Sequence, residues 1–486
     1  MSKWIYLLIA VHACSTFGCQ DFLTIEPEDE LSRQEVFSSI RGADAAVVGL
    51  YNLLGEGELY QINLPIFADV IANLEPLNDE QVVSLEDIGG LRLEFIQAHA
   101  LRITPGYNNS SFDAIYADAY NLLYQANDIL AGLELLPEGS SEQRASLRAE
   151  ALCFRALVHF DLLRLYAQAP GFSPDAGHPG IVLMEAIPSV FAQSARSSVA
   201  AGFTSVCADL EEAERLMDSR FTRRSTGAIW LTPTAVQGLL ARVAAYRQDW
   251  EACLAWANRC LSDNSRALSP SEQYLDQWEA GSLSETIWQL DLQRNVEVSG
   301  STPVLTSPAR VMGAGNEDPF MQLSQQLLDQ FEEGDLRRQL IVTDAEGNRL
   351  SRKWPFAENQ IRNVPLLRLS EIFLLRAEAA AELNQLELAT ADYRLIRLRA
   401  EPEAVLPPLM NQEDLRRAIR EERRRELALE GHHFFDLGRW GADLERLNCA
   451  SLVSSCALSY PDPRYVLPIP LDAILRNPNL TQNEGY

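Results

Sequence analysis

Arg423-Arg424-Arg425-Glu426-Leu427-Ala428-Leu429-Glu430-Gly431-His432-His433-Phe434-Phe435-Asp436-Leu437-Gly438-Arg439-Trp440 decides the reading of this chain. It closes a helix of alternating charge whose start is equally well marked: Asn411 serves as N-cap, and Glu413 and Asp414 complement the positive end of the macrodipole. Arg423 to Arg425 suit the negative end, and Gly431 suits the left-handed C′ position. His432 and His433 beside Asp436, with Glu426 and Glu430 upstream, are residue types that could hold a metal or move a proton. Adjacent side chains diverge, however, and the run coincides with the expected helix end. There the dipole favours His432 and His433, and Arg423, Arg424 and Arg439 can pair with Glu430 and Asp436. The run is therefore read as structural, with no metal ligand assigned.

Outward from this segment, Leu467-Pro468-Ile469-Pro470 excludes helix and central strand alike, so the tail is expected to lie extended on the surface. Asn477-Pro478-Asn479-Leu480-Thr481-Gln482-Asn483-Glu484-Gly485-Tyr486 follows it. Upstream, helical periodicity arrives in pairs. A first helix is expected over 38–54, with Ala45, Val48 and Tyr51 at helical spacing; a hairpin over 112–130 and 144–167 turns at Pro137-Glu138-Gly139-Ser140. A strand-like Gly180-Ile181-Val182-Leu183 precedes a helix over 199–217. The pairs 232–247 with 250–261 and 369–383 with 386–399 look tetratricopeptide-like, with small residues such as Gly238, Ala241, Ala252 and Ala257 where two helices would cross closely. These units are not in tandem. The expected fold is all-α: dispersed tetratricopeptide-like helix pairs forming one scaffold, with irregular loop excursions over 60–107 and 263–363.

At 486 residues, 47% hydrophobic and 22% charged, the composition is that of a globular protein, and no run of eighteen apolar residues predicts a transmembrane helix. The formal charge of −27 repels nucleic-acid phosphates and anionic membrane surfaces, so neither is expected as an electrostatic partner. Residues 1–18 read as a short lipoprotein signal peptide: Lys3, an apolar stretch, then Thr16-Phe17-Gly18 before Cys19. Cys19 is the expected lipidated residue, with Cys14 as a rival site. Cys253 and Cys260 are seven residues apart on one helix, roughly 10 Å and beyond disulfide reach, so they are expected as buried thiols. Cys449 and Cys456 bracket a loop that a disulfide could clip. No CxxC pair supports a zinc site.

The segment 423–440 and the tail together resemble the C-terminal signature of SusD/RagB outer-membrane nutrient-binding lipoproteins. Cys19-Gln20-Asp21-Phe22-Leu23 resembles the family's mature start. Phe112 to Asn127, Glu150 to Pro170, Arg196-Ser197-Ser198-Val199, Asp209 to Ala213 and Arg368 to Ala379 resemble further segments in the expected order. The resemblance implies one SusD-like domain over 19–486, with an N-terminal part to 230 and a C-terminal part from 231. It further implies an outer-membrane, surface-exposed lipoprotein that captures an oligosaccharide or other nutrient and delivers it to a SusC-like TonB-dependent barrel. No cofactor is implied. The alternatives are a surface binding or scaffold lipoprotein without a transporter partner, and a glycoside hydrolase.

Hydrolysis would need two carboxylates across a cleft, and no pair among the 68 acidic residues is singled out. There is also no GxSxG, HExxH or phosphate-binding glycine loop, so no catalytic residue is assigned. A sugar site needs aromatic faces with amide, carboxylate or guanidinium groups around them. The excursions, placed near the ligand face by the resemblance, supply Asn73, Asn78, Asp79, Arg92 and Tyr107 from the first and Trp278, Arg294 and Asn316 from the second. Residues 296–321 contain a single aromatic, Phe320, which argues against a flat starch-like stacking platform there. Cys19→Ala is expected to release the protein from membranes into the soluble fraction; retention at wild-type level in a fractionation experiment would refute lipid anchoring there.

Overall fold

The computed structural model describes residues 32–56, 60, 64–77, 90–101, 103, 110–137, 139–217, 228–292, 308–356, 362–407, 410–446 and 456–486. Cys14, Cys19, Asn78, Asp79, Tyr107, Arg294 and Cys449 lie outside the described residues, and Arg92 is described by its backbone alone. The longer helices are α1 (Ile40–Glu56), α2 (Leu64–Ala72), α3 (Gly90–His99), α4 (Ser110–Leu135), α5 (Ser141–Tyr166), α6 (Val199–Leu216), α7 (Pro233–Tyr246), α8 (Trp250–Leu261), α9 (Leu369–Glu382), α10 (Leu386–Ala400), α11 (Gln412–Glu426) and α12 (His433–Trp440). The all-α scaffold of helix pairs is what the structure shows. None of its helices is long and apolar enough to cross a membrane among the described residues.

Local chemistry sets the helix boundaries. Ser140 and Gln143 form a reciprocal capping box at the start of α5, Thr232 caps α7 ahead of Pro233, and Asp249 caps α8. Gln248 takes a left-handed conformation, which lets α7 and α8 reverse in a tight turn. Helices α4 to α8 pack each on the next; α8 then packs on α9, and α9 on α10 and α11. Two helix pairs separated by more than a hundred residues are thus neighbours in space. Gly238 serves this junction differently from the expected α7–α8 crossing: a Cβ there would stand 2.5 Å from Leu367 Cδ2 and 3.3 Å from Ile372 Cδ1. Cys253 and Cys260 are buried free thiols on α8, and Cys456 is disulfide-bonded.

The excursions are tied down by short antiparallel ladders. β1 (Leu74–Pro76) pairs with β3 (Met321–Leu323), joining one excursion to the other; β2 (Thr286–Leu290) pairs with β6 (Val364–Arg368); β4 (Ile341–Thr343) pairs with β5 (Arg349–Ser351). A fourth ladder joins β7 (Leu444–Glu445) to β8 (Ala457–Leu458).

Three expectations need correction. The apolar stripe of α1 is Ala43, Val47, Leu50 and Leu54; Ala45 is exposed, so the buried face is phased differently. The helix that opens at Asn411 ends at Glu426, well before Gly431. Leu429 and Gly431 both have positive φ in the turn that follows, and His432 is the N-cap of a new helix, α12. Residues 465–470 are buried, with Leu467 and Ile469 in the core and Leu467 N–H donating to Leu165 O at 2.7 Å, whereas the tail beyond them lies mostly at the surface and opens with a short helix, Leu471–Arg476.

A buried ionic cluster joins these elements. Glu426 accepts from Arg337 at 3.0 Å, Arg368 at 2.5 Å and Arg399 at 2.5 Å, and all four side chains are almost wholly enclosed. Arg368 also reaches Glu285 at 2.6 Å and Glu430 at 2.7 Å, and Lys353 reaches Glu430 at 2.5 Å. Arg337 holds Asp335 and Glu422, each at 2.7 Å. Burial alone would raise the Glu426 carboxyl, but Arg399, Arg368 and Arg337 outweigh it and hold it well below the usual range. Removing one partner leaves buried charge uncompensated, at a cost of about 3–5 kcal/mol. Glu426→Gln is therefore expected to lose about that much in urea unfolding, whereas Arg476→Ala, which breaks an exposed pair, should change stability by less than about 0.5 kcal/mol. Equal effects from the two variants would refute the cluster's role.

Candidate functional site

The sequence-selected residues that are described turn inward. Asn73 is fully buried: its Nδ2 donates to Asp69 Oδ1 at 2.7 Å, its Oδ1 accepts from Arg424 at 3.3 Å, and its carbonyl accepts from Ser324 N. Asp69 also accepts from Leu429 N at 3.0 Å and Gly431 N at 2.7 Å, so this pair clamps the turn between α11 and α12. Trp278 is 2% exposed, in the short helix Tyr274–Ala280, with Trp354 at 6.3 Å and Lys353 Nζ at 4.5 Å from its ring. Asn316 is buried and binds Arg310 O at 2.7 Å and Arg310 NH1 at 3.2 Å. These three side chains do not meet one another at a surface. Each is tied into the framework by these contacts.

The histidines also differ from the reading above. His432 and His433 open α12 rather than ending a helix, so the dipole opposes their protonation. Burial is the main reason both are pushed down to about 3, with Arg423 acting on His432 and Arg424 on His433 in the same direction. Arg423 and Arg439 do pair with Asp436, at 2.8 and 2.7 Å, but Glu430 is held by Arg368 and Lys353 instead. Arg439 also grips Glu378 at 2.7 Å, and Trp440 Nε1 donates to Glu378 Oε1 at 2.6 Å. The polar run is therefore a set of interior cross-links.

A concave surface with different chemistry lies between the end of α1 and β2. Tyr51, Asn52, Trp230, Trp288, Gln289 and Asp291 line a shallow crevice that encloses about 10 Å³, room for about one water, and otherwise opens to solvent. Tyr51 is fixed from three sides: its hydroxyl donates to Glu150 Oε2 at 2.6 Å and accepts from Leu231 N at 3.0 Å, and its ring lies edge-on to Trp230 at 4.8 Å and to Phe154 at 4.7 Å. Aromatic faces flanked by amide and carboxylate groups suit the C–H faces and hydroxyls of a sugar. None of these residues was among the sequence candidates, because Tyr51, Asn52 and Trp230 belong to scaffold ends. The usable signal was an aromatic standing just ahead of a helix cap, Trp230 before Thr232.

The fold is a helical scaffold with an aromatic and amide crevice at its surface. Two sequence families match: one described as "Starch-binding associating with outer membrane" over residues 72–244, the other as the SusD family over residues 356–486. Among curated proteins, SusD-like protein P25 of Formosa agariphila is 25% identical, with 97% of each chain covered, and SusD-like protein P2 of the same organism is 23% identical. Solved structures share the fold: a SusD superfamily protein of Bacteroides thetaiotaomicron at TM-score 0.79 and 22% identity, covering 92% of this chain and 99% of that one. A SusD-like carbohydrate binding protein of Bacteroides vulgatus follows at TM-score 0.76 and 20% identity, covering 91% and 97%. The chain belongs to the SusD family.

Acid should unfold the protein by way of its enclosed histidines. His159, His432 and His433 are pushed down to about 3 and His99 to about 4, chiefly by burial, so each binds a proton more readily unfolded than folded. Their contribution is present above the unfolded value of roughly 6.5 and is lost as pH falls from there toward 3. Asp69, raised to about 6 by burial, acts oppositely and is outnumbered. The thermal midpoint is expected to be lower at pH 4.5 than at pH 7.5; a higher midpoint at 4.5 would refute the neutral buried histidines.

Proposed function

We propose that this protein is a lipid-anchored, surface-exposed outer-membrane binding protein that captures an oligosaccharide and hands it to a SusC-like TonB-dependent barrel. The observation that carries the reading is the pair of family matches at 72–244 and 356–486, one of them to a family described as starch-binding and associating with the outer membrane. Cys19 is the proposed anchor, and 19–486 the mature domain. Asn78, Asp79, Arg92, Tyr107 and Arg294 of the excursions are the proposed ligand contacts. Starch itself is not the proposed ligand, because 296–321 lacks an aromatic platform. The chain's role is binding, not turnover.

Calorimetry of the chain without residues 1–19 against a panel of glycans and peptides tests the capture step. A saturable glycan isotherm with no cleavage product is expected, together with co-purification of a large barrel from solubilised outer membranes of the native host. Glycan binding without a co-purifying barrel would support a surface binding protein that acts alone. Product formation abolished by one Asp or Glu substitution would replace the reading with a hydrolase.

A further inference from the structure

A second concave surface lies on the helix-pair side, sharing no element with the crevice. It is an open groove of about 570 Å³, within the roughly 300–1,000 Å³ of small-molecule pockets. Trp250 and Trp440 both line it. The α7–α8 turn fixes Trp250 at the first position of α8, directly after the capping Asp249. Gln248, left-handed in that turn, donates from Nε2 to Arg439 O at 2.8 Å and so ties the turn to the end of α12 beside Trp440. The Trp440 ring carries Arg439 at 4.8 Å and Arg420 at 5.0 Å, and its indole N–H is committed to Glu378.

The remaining wall comes from α9 and the outer face of α11. Arg416 pairs with Glu382, and Arg420 stands 4.0 Å from the same carboxylate. The Nε donors of Arg416 and Arg420 are out of solvent and have no acceptor. Arg417 is well exposed and pairs at 2.6 Å with Asp414, while Glu413 and Glu421 complete the lining. Three arginines against three glutamates leave the lining neutral, although the chain carries −27.

That combination selects a ligand. A net-neutral lining gives an ionic ligand no Coulombic advantage. Each sugar hydroxyl is at once donor and acceptor, and adjacent carboxylates and guanidinium groups satisfy both roles. Tryptophan surface takes the apolar face of a ring. We infer that the groove formed by Trp250, Trp440, Glu382 and the Arg416–Glu421 face of α11 is a second carbohydrate site, selective for uncharged oligosaccharides. The inference rests on the carbohydrate-binding reading but places a site where that reading has none.

The test titrates the mature chain with gluco-, xylo-, manno- and galacto-hexasaccharides, and compares it with Arg417→Ala/Glu421→Ala, two exposed positions, and with Trp250→Ala checked by its melting curve. For at least one neutral hexasaccharide, the wild type should show two sites per chain, and the surface double variant should lose one or weaken it at least tenfold. That affinity should not change between 50 and 500 mM salt. Wild-type binding that neither variant alters would overturn the groove while leaving the capture function standing. No hexasaccharide binding at all would overturn both. Groove-dependent binding only of uronate or sulfated glycans, or of peptides, would overturn the selectivity for uncharged sugars.

Discussion

One carboxylate, Glu426, is the point on which the C-terminal half converges. It sits at the last position of α11, where Arg337, Arg368 and Arg399 arrive from three separate parts of the chain. Charges taken out of water are tolerated only when each one meets several opposite partners in good geometry. Satisfying that condition fixes where β6, α10 and the 336–340 turn can sit relative to α11. Lys353 adds a further tie, donating to Glu430 and to the carbonyls of Glu426 and Ala428, so the turn into α12 is held from the side. Asp69 and Asn73 hold the same turn from the N-terminal half. The ionic cluster thus ties three remote segments to the end of α11.

The helices were legible because their signals are local. Trp250–Leu261 has the limits that its cap and periodicity imply, and Asn411 caps the helix that it was expected to cap. The cluster was not legible, because its partners are remote: Glu285, Arg337, Arg368 and Arg399 each read alone as a solvated charge. Nor does periodicity show that a sequence such as Arg423-Arg424-Arg425-Glu426 has two of its four charges enclosed; a mixed-charge helix ordinarily faces water. The displaced helix end has the same origin. Gly431 offers a left-handed position, but Leu429 adopts one first, because Asp69 rewards the exposed N–H groups of that turn.

The site was harder to read than the fold for a different reason. Polar and aromatic residues in an irregular stretch are equally suited to binding a ligand and to tying the stretch down. Asn73, Trp278 and Asn316 do the second, since a segment with little regular structure must satisfy its backbone by side-chain bonds. Tyr51 and Trp230 present the opposite case: scaffold residues at helix ends, where a ring can be supported from behind and open in front. Trp440 combines both uses, with its N–H spent on Glu378 and its ring edging a groove.

The C-terminal tail is tied back to residues 165–196. Leu467 and Asn483 bond to the carbonyls of Leu165 and Tyr166, Arg196 reaches Thr481 O, and Asn477 and Asn479 bond to Ser194 and Gln193. Contacts across some three hundred positions can form only after almost all of the polypeptide is present. The long helix α5, which is enclosed along nearly its whole length, therefore lacks part of its cover until the final residues arrive. A chain built this way cannot lock up segment by segment as it emerges. Its full packing waits on its last residues.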